Sequence, residues 1–259
     1  MIQTLFEKGQ KVFIPFIMAG HPSLEETKHA VLALSAAGAD LIELGVPFSD
    51  PVADGPVNQM AAEIALAQGV NLHAIFALVQ SLRHSGCDTP IILFSYLNPI
   101  LALGYETFAK EAKAAGVNGV LVVDLPPEEG EAFYAQLSAL GLGVVLLISP
   151  TTNPARFAQY HRVDPAFIYY ISRCAVTGVQ NDLAPQLADE IQTLRSYFPN
   201  KKVVVGFGIS SVEQAATVAQ LADGVVVGSL LVRTLQTEGL EAFTKLAERF
   251  VEGIPRYSE

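Results

Sequence analysis

The sequence predicts an α/β fold, a closed (β/α)8 TIM barrel that forms a single domain over residues 1–259. Short apolar runs rich in β-branched residues alternate with longer stretches of helical periodicity along the whole chain. The apolar runs lack polar alternation, which is typical of parallel strands buried on both faces. Eight such runs occur in 259 residues, and a barrel of eight units needs about 250 residues.

The predicted elements follow one another in strict strand–helix order. The predicted strands cover residues 12–17, 41–44, 91–95, 120–123, 144–148, 166–171, 203–206 and 224–227. The predicted helices cover residues 24–37, 57–67, 72–85, 105–115, 128–140, 154–160, 183–197, 212–221 and 240–251. Strand–helix alternation produces right-handed βαβ units. An open doubly wound sheet is the alternative, but the loop at 18–22 lacks the GxGxxG fingerprint that usually follows its first strand.

Composition excludes several classes of function. Lys plus Arg is 16 and Asp plus Glu is 26, a net charge of −10, which argues against nucleic acid as a main partner. The two cysteines form neither a CxxC pair nor a metal-binding cluster, so no metal is expected. No secretory signal is apparent, and the apolar runs are too short to span a membrane. We therefore expect a cytoplasmic protein without a membrane segment.

An acidic side chain interrupts the second predicted strand. Glu43 shares one face of this strand with Leu41, because side chains alternate with a period of two. Inside a barrel its carboxyl group would lose hydration, which raises the pKa and suits a proton donor and acceptor. A structural carboxylate paired with a core donor or an arginine is the alternative. The next loop carries Asp50 and Asp54, for which ordinary turn chemistry is the alternative to a role in catalysis.

Glycines follow the last three predicted strands. Gly178 lies in the loop after the sixth strand, Gly208 after the seventh, and Gly228 directly after the eighth, where Ser229 opens a helix. Barrels often bind phosphate in their last loops, because bare N–H groups approach an anion closely and a helix N-terminus favours negative charge. These loops therefore predict a phosphate site, with plain strand-ending turns as the alternative.

The segment at 43–56, Glu-Leu-Gly-Val-Pro-Phe-Ser-Asp-Pro-Val-Ala-Asp-Gly-Pro, resembles the signature of the tryptophan synthase α-subunit family. Further similar motifs occur in collinear order at 13–20, 124–129, 172–178, 206–210 and 228–229. The likeness therefore covers essentially the whole chain.

The resemblance implies a lyase that splits indole-3-glycerol phosphate into indole and glyceraldehyde 3-phosphate by retro-aldol cleavage. Glu43 matches the glutamate that protonates indole C3 and helps to take up the glycerol hydroxyl proton. Asp54 matches the aspartate that interacts with the indole N–H and stabilises the positive charge developing there. Breaking this bond needs an acid at C3, a base at a hydroxyl and an anion near the ring nitrogen, and carboxyl groups can supply all three.

The resemblance also implies residues that bind the substrate. The positions that match phosphate-holding residues are Gly178, Gly208, Gly228 and Ser229. The positions that match the walls of the indole and glycerol pocket are Phe16, Phe94, Leu121, Tyr169 and Phe207. Thr177 matches the threonine of a mobile loop that closes over Asp54, so loop closure is expected to complete the site.

The family uses no metal and no cofactor in this subunit. It works as an αββα heterotetramer with a β-subunit that carries pyridoxal phosphate, and indole reaches that subunit through an internal channel. The contact with the β-subunit is expected at the loop of Pro47, Asp50 and Pro51 and at Asn98-Pro99.

Two positions depart from the family pattern. His21 stands before Pro22, where the family often has an acidic residue, and Ala175 stands where it usually has glycine. Alanine has less backbone freedom than glycine, so loop closure and signalling between subunits are expected to differ while the chemistry does not.

Three other functions stay open at the level of sequence. Another phosphate-binding barrel enzyme of the same pathway would share the glycine loops but lack the acids spaced as Glu43 and Asp54. A stand-alone indole-3-glycerol phosphate lyase would share all of these motifs. A regulatory or partner-binding subunit would show little activity with or without a β-subunit.

Overall fold

The computed structural model describes residues 2–6, 9–172, 183–206 and 208–255, and within them the chain forms a closed barrel of parallel strands surrounded by helices. The strands are β1 (Val12–Met18), β2 (Ile42–Gly45), β3 (Ile91–Ser95), β4 (Gly119–Val122), β5 (Gly143–Ile148), β6 (Phe167–Ile171), β7 (Val203–Gly206) and β8 (Gly224–Val227). The α-helices are α1 (Leu24–Ala37), α2 (Pro56–Ala67), α3 (Leu72–His84), α4 (Leu97–Leu103), α5 (Tyr105–Ala115), α6 (Pro127–Ala139), α7 (Phe157–Val163), α8 (Leu183–Tyr197), α9 (Val212–Leu221) and α10 (Ser229–Gly253).

The strands pair in chain order, and β8 returns to β1 to close the barrel. In the register of the first three strands, Phe16 lies opposite Glu43 and Glu43 lies opposite Ile92. Each strand therefore has two parallel neighbours and no free edge, as the nearly continuous apolar runs predicted. The closed barrel confirms the predicted fold class and excludes the open doubly wound sheet.

Side-chain alternation separates the core into two layers. Ile42 and Leu44 belong to the apolar layer between strands and helices, whereas Leu41 belongs to the layer inside the barrel. Glu43 is two residues from Leu41 and shares its inward face. The predicted facing of the second strand is therefore correct, and it directs a carboxyl group into the barrel.

The N-terminal segment closes the end of the barrel that lies away from the site. Within the 3-10 helix Gln3–Phe6, the ring of Phe6 lies 5.8 Å from the ring of Phe167. Ile2 fills the space beside Gly119 and Gly143, where an added Cβ would lie about 2.7–2.8 Å from its Cδ1 atom. Access to the barrel interior is therefore from the opposite end, at the C-terminal ends of the strands.

Helix α4 is absent from the sequence-based prediction, which treated Asn98-Pro99 as loop. The helix has only seven residues, too short for a periodic apolar pattern to be recognised. Pro99 lies in its first turn, where a missing backbone N–H costs little. The carboxylate of Asp124, at the end of β4, accepts a 2.7 Å hydrogen bond from the Leu97 N–H and so caps the helix from a neighbouring unit.

Two other helices differ from their predicted extents. Residues 154–160, predicted as one helix, divide into a 3-10 turn, Pro154–Arg156, and helix α7. Helix α10 begins at Ser229, as predicted, and runs on through the predicted stretch 240–251. Its two parts join at Gly239, which has φ 81° and ψ −177°, a conformation that is essentially restricted to glycine.

Among the described residues, no single helix is long and apolar enough to cross a membrane. The pair α2 and α3 meets the length and composition requirements only when the two are taken together, and their axes are bent by 96°.

Candidate active site

A cavity of about 270 Å³ opens at the C-terminal ends of the strands. Its walls come from six of the eight βα units, since β1, β2, β3, β6, β7 and β8 or the segments after them all contribute. Its described lining residues are Phe16, Glu43, Asp54, Gly55, Pro56, Val57, Asn58, Phe94, Tyr169, Gly208, Ile209, Val226, Gly228 and Ser229. The barrel thus gathers acids from its second unit and glycines from its last two units around one space.

Glu43 is the most deeply buried acid of the cavity. Its side chain is 1% exposed, and its Oε1 atom has no hydrogen-bond partner among the described residues. Burial, together with the smaller effect of the nearby charge of Asp54, raises the pKa of Glu43 to about 8. The carboxyl group therefore carries its proton at neutral pH and can act as a general acid.

Asp54 has a more polar environment in the same cavity. Its Oδ2 atom accepts a 2.8 Å hydrogen bond from the Tyr96 hydroxyl, and its Oδ1 atom lies 3.4 Å from the side-chain nitrogen of Asn58. Burial raises the pKa of Asp54, while the hydrogen bonds from Tyr96 and Asn58 lower it. The net direction is upward, but these donors favour the ionised form of Asp54, whereas Glu43 Oε1 has no such donor among the described residues.

Tyr96 holds the loop of Asp54 against the end of β3. Its hydroxyl donates to Asp54 and accepts a 3.0 Å hydrogen bond from the Ala53 N–H. Its ring lies 5.3 Å from the ring of Phe48, in the same loop. Burial is the main cause that raises the pKa of Tyr96, so this hydroxyl keeps the proton that it donates.

Glycines from the last two βα units form another part of the cavity wall. Gly208 adopts a φ of +78°, a left-handed conformation that side chains rarely take. Gly228 precedes helix α10, and an added Cβ there would lie 3.3 Å from the Phe16 ring. Ser229 is the first residue of α10, whose first N–H groups have no partner within the helix. This wall combines exposed backbone donors with the positive end of a helix dipole.

Tyr169 also lines the cavity. It is 3% exposed, and a Cβ added at Gly206 would overlap its hydroxyl group. Burial raises the pKa of Tyr169 well above its ordinary value, and the charges of Glu43 and Asp54 add to the rise. The glycine at the end of β7 therefore provides the space in which the tyrosine hydroxyl sits.

Most of the predicted site residues in the described ranges meet in this cavity. They are Glu43, Asp54, Gly208, Gly228, Ser229, Phe16, Phe94 and Tyr169. Leu121 is not among the lining residues; it is fully buried within the barrel and pairs with Phe94 and Val145. His21 is also buried but lies outside the cavity lining. The remaining predicted residues, Thr177, Gly178 and Phe207, and the departure at Ala175 lie outside the described residues.

Sequence reasoning missed Tyr96 and Asn58. Tyr96 directly follows β3, and a polar aromatic residue at a strand's C-terminal end was the signal that could have identified it. Asn58 lies in the first turn of α2, four residues after Asp54. That spacing places two side chains on one face where a helical turn follows, but the Gly-Pro between them obscures where the helix begins.

No group of three or more His, Cys, Asp or Glu side chains in the described ranges is arranged to hold a metal ion.

Comparisons with known proteins agree with this geometry. The family model described as tryptophan synthase alpha chain matches residues 2–254. The tryptophan synthase alpha chain of Geotalea daltonii is 48% identical over 244 residues, covering 94% of this chain and 92% of that protein. The alpha chain of Pelobacter propionicus is 45% identical over 250 residues, covering 96% and 93%.

Solved structures show the same likeness. Tryptophan synthase subunit alpha from Legionella pneumophila superposes with a TM-score of 0.89 at 36% identity, covering 98% of this chain and 96% of that one. A tryptophan synthase structure from M. tuberculosis, described as an aminoacrylate-bound form, superposes with a TM-score of 0.87 at 31% identity, covering 98% and 99%.

Fold and cavity together define an acid–base enzyme of the (β/α)8 barrel class. The chain belongs to the tryptophan synthase alpha chain family. It is a carbon–carbon lyase of tryptophan biosynthesis that cleaves indole-3-glycerol phosphate to indole and glyceraldehyde 3-phosphate. This chain carries no cofactor of its own, and it works with a beta subunit that holds pyridoxal phosphate.

Burial of Glu43 makes stability depend on pH. Its pKa is about 8 in the folded chain against an ordinary value of 4.5, so the stabilisation is fully present below about pH 4.5 and is lost as pH rises through about 8. We expect Glu43→Gln, which stays neutral, to gain stability relative to the wild type as pH rises, by on the order of a few kcal/mol. Urea unfolding of both proteins across this pH range measures the difference; a difference that does not change with pH would contradict the raised pKa.

Proposed function

We propose that Glu43 is the general acid of the cleavage and that Asp54 is the anion that stabilises the indole ring. The observation that carries this proposal is that both carboxyl groups line one cavity, where Glu43 is driven towards its neutral form and Asp54 has two hydrogen-bond donors. An acid that holds its proton at neutral pH can deliver it to carbon, and an ionised neighbour can stabilise a developing positive charge.

A single residue, Glu43, can first donate and then take up the proton that the reaction moves. Proton transfer from Glu43 to C3 of the indole ring places positive charge on the ring nitrogen, next to Asp54. The bond from C3 to the glycerol side chain then breaks, and its electron pair restores the indole ring. The side-chain carbon becomes an aldehyde as its hydroxyl loses a proton, which the ionised Glu43 takes up. The net result is transfer of one proton from oxygen to carbon, and the enzyme is regenerated.

The phosphate group of the substrate is assigned to the wall formed by Gly208, Gly228 and Ser229, with Gly178 as a fourth contact. Support comes from the left-handed backbone at Gly208 and from the start of α10 in the same wall. Backbone N–H groups can bind a phosphate even though the chain has a net charge of −10, since they add no formal charge. The anionic end of the substrate is therefore assigned to the last βα units, whereas the two acids belong to the second.

The indole ring is assigned to the aromatic part of the cavity. Phe16 and Phe94 pack edge to face, with ring centroids 5.4 Å apart, and both line the cavity together with Tyr169. Leu121 lies opposite Phe94 on the neighbouring strand, in the same apolar layer inside the barrel. Phe207 and Thr177 complete the assignment, as a wall residue and as part of the closing loop.

Replacing either acid tests these roles directly. We expect Glu43→Gln to abolish indole release, because an amide cannot deliver the proton to C3, and Asp54→Asn to lose most of the activity, at least about a hundredfold. Indole formation from indole-3-glycerol phosphate is measured with and without the beta subunit. Glu63→Gln, which changes an exposed acid of α2, is the matched control and should keep wild-type activity. Wild-type rates in Glu43→Gln or Asp54→Asn would remove that residue from the mechanism.

We also propose that the beta subunit docks on the segments after β2 and β3. Val52, in the loop that carries Asp54, is 86% exposed, and Leu101, on helix α4, is 51% exposed. Large apolar side chains with this exposure at one end of a barrel are typical of a protein contact. Tyr96 joins the two segments through its bonds to Asp54 and Ala53, so docking would act directly on the catalytic loop.

A charge in this surface should weaken assembly. We expect Val52→Asp to reduce affinity for the beta subunit about tenfold or more, because the carboxylate would be desolvated at the contact. Leu140→Asp is the matched control, since Leu140 is a partly exposed apolar residue at the opposite end of the barrel. Titration of the beta subunit, followed by calorimetry and by the rate of indole formation, measures both variants. Equal affinity of the two variants would place the contact elsewhere, and no activation by any amount of beta subunit would favour a stand-alone lyase.

We propose that the enzyme works in the cytoplasm. Cys87 is a buried free thiol, and unpaired cysteines are typical of a reducing compartment. Fractionation of the native cells with an antibody against the chain tests this location.

A further inference from the structure

Asn58 lies beside the carboxylate of Asp54 and has an unusual hydrogen-bonding state. Its side-chain nitrogen is 3.4 Å from Asp54 Oδ1, and the side chain lines the cavity. Its own oxygen, Oδ1, is buried and has no partner among the described residues. A buried acceptor without a partner is destabilising, so an apolar residue of similar size would suit the fold better.

The orientation of this amide follows from the charge of its neighbour. An ionised carboxylate can only accept hydrogen bonds, and the NH2 group is the only donor that an asparagine side chain has. The nitrogen therefore faces Asp54, and the amide oxygen is left in the buried position. The buried oxygen destabilises the fold, so we expect the contact between the amide nitrogen and Asp54 to have a function.

With this contact, each carboxylate oxygen of Asp54 has a hydrogen-bond donor beside it. Tyr96 holds Oδ2 at 2.8 Å, and Asn58 is the described donor closest to the remaining oxygen, Oδ1. Gln59 holds the backbone of the same residue, since its side chain donates a 2.8 Å hydrogen bond to the Asp54 carbonyl oxygen. A separation of 3.4 Å is long for an N–H···O bond, but catalytic hydrogen bonds are often long without substrate and shorten when it binds.

We propose that Asn58 is a positioning residue for Asp54, fixing the second oxygen of its carboxylate so that the ionised group faces the ring nitrogen of the substrate. This inference rests on the role of Asp54 proposed above. It adds a residue on helix α2 whose effect on the reaction is exerted entirely through that carboxylate. Catalysis then depends on donors from two different elements, Tyr96 after β3 and Asn58 on α2.

The proposal has a consequence for the pH dependence of the reaction. The described titratable groups that face Asp54 are Glu43 from β2, Tyr96 after β3 and Tyr169 from β6. None of them is a cation, so hydrogen bonds must supply the stabilisation of the Asp54 charge against burial. Loss of the Asn58 donor should therefore raise the pKa of Asp54 and move the acid limb of the rate profile to higher pH.

The test compares Asn58→Leu with Asn58→Gln. Leucine is close to asparagine in shape but has no donor, whereas glutamine keeps the amide on a longer side chain. For Asn58→Leu we expect about tenfold lower kcat, KM within about twofold, and an acid limb of the kcat profile about one pH unit higher. Asn58→Gln should retain more activity and a profile closer to the wild type. Carboxyl-carbon NMR of Asp54 supplies a readout independent of turnover and should show the same rise in pKa.

The outcomes separate this inference from the proposed function. Thermal unfolding first establishes that both variants are folded. If Asp54→Asn is inactive while the kcat and pH profile of Asn58→Leu match those of the wild type, Asn58 has no positioning role and the role of Asp54 stands. If Asp54→Asn keeps wild-type activity, the role of Asp54 fails, and the inference about Asn58 fails with it.

Discussion

The burial of the Glu43 carboxyl group inside the barrel is the constraint on which the rest of the site depends. An ionised carboxylate in this position would have to give up its hydration, and Oε1 finds no compensating donor in the described part of the chain. The neutral form is therefore the one that the fold tolerates. The barrel can hold the acid there because β1 and β3 pair on both sides of β2 and keep the side chain pointing inward. The raised pKa of Glu43 thus follows from burial that the backbone register imposes, and its Oε1 atom has no hydrogen-bond partner among the described residues.

The neighbouring acid, Asp54, differs from Glu43 because hydrogen-bond donors surround its carboxylate. Asp54 lies on a loop rather than in a strand, so its carboxylate can receive donors from other elements. Its charge in turn raises the pKa of Glu43, so Asp54 supports the neutral form of its neighbour. Two carboxyl groups of similar intrinsic acidity thereby acquire different environments, since one is desolvated without a donor to Oε1 and the other is hydrogen-bonded, which supports the different roles proposed for them. This arrangement requires that the loop keep its conformation. Tyr96 holds the loop through its hydrogen bonds with Asp54 and Ala53.

Sequence reasoning was most successful where a repeated physical rule applies. Period-two alternation correctly placed Glu43 inside the barrel, and the rule that chemistry lies at the strand ends led to Asp54, Gly208 and Gly228. It failed where the decisive contact joins different units of the chain. The first turn of α4 is capped by Asp124, 27 residues away, and Tyr96 reaches Asp54 over 42 residues. Local periodicity contains no information about such contacts. Leu121 faces the barrel interior, and its predicted place in the substrate pocket stays a prediction.

The two donors to Asp54 differ in the same way, because Tyr96 belongs to a distant unit of the chain and Asn58 to a nearby one. Tyr96 is buried and its ring is packed against Phe48, so its hydroxyl is placed by the folding of the whole barrel. Asn58 lies in the first turn of a helix that begins only two residues after Asp54, so its amide is placed by the same segment of the chain that carries Asp54. Because the segments after β2 and β3 also carry the exposed Val52 and Leu101, a partner that fixes them together would fix the Tyr96 contact. The geometry thus connects the protonation state of Asp54 to the surface assigned to the beta subunit through a single tyrosine hydroxyl.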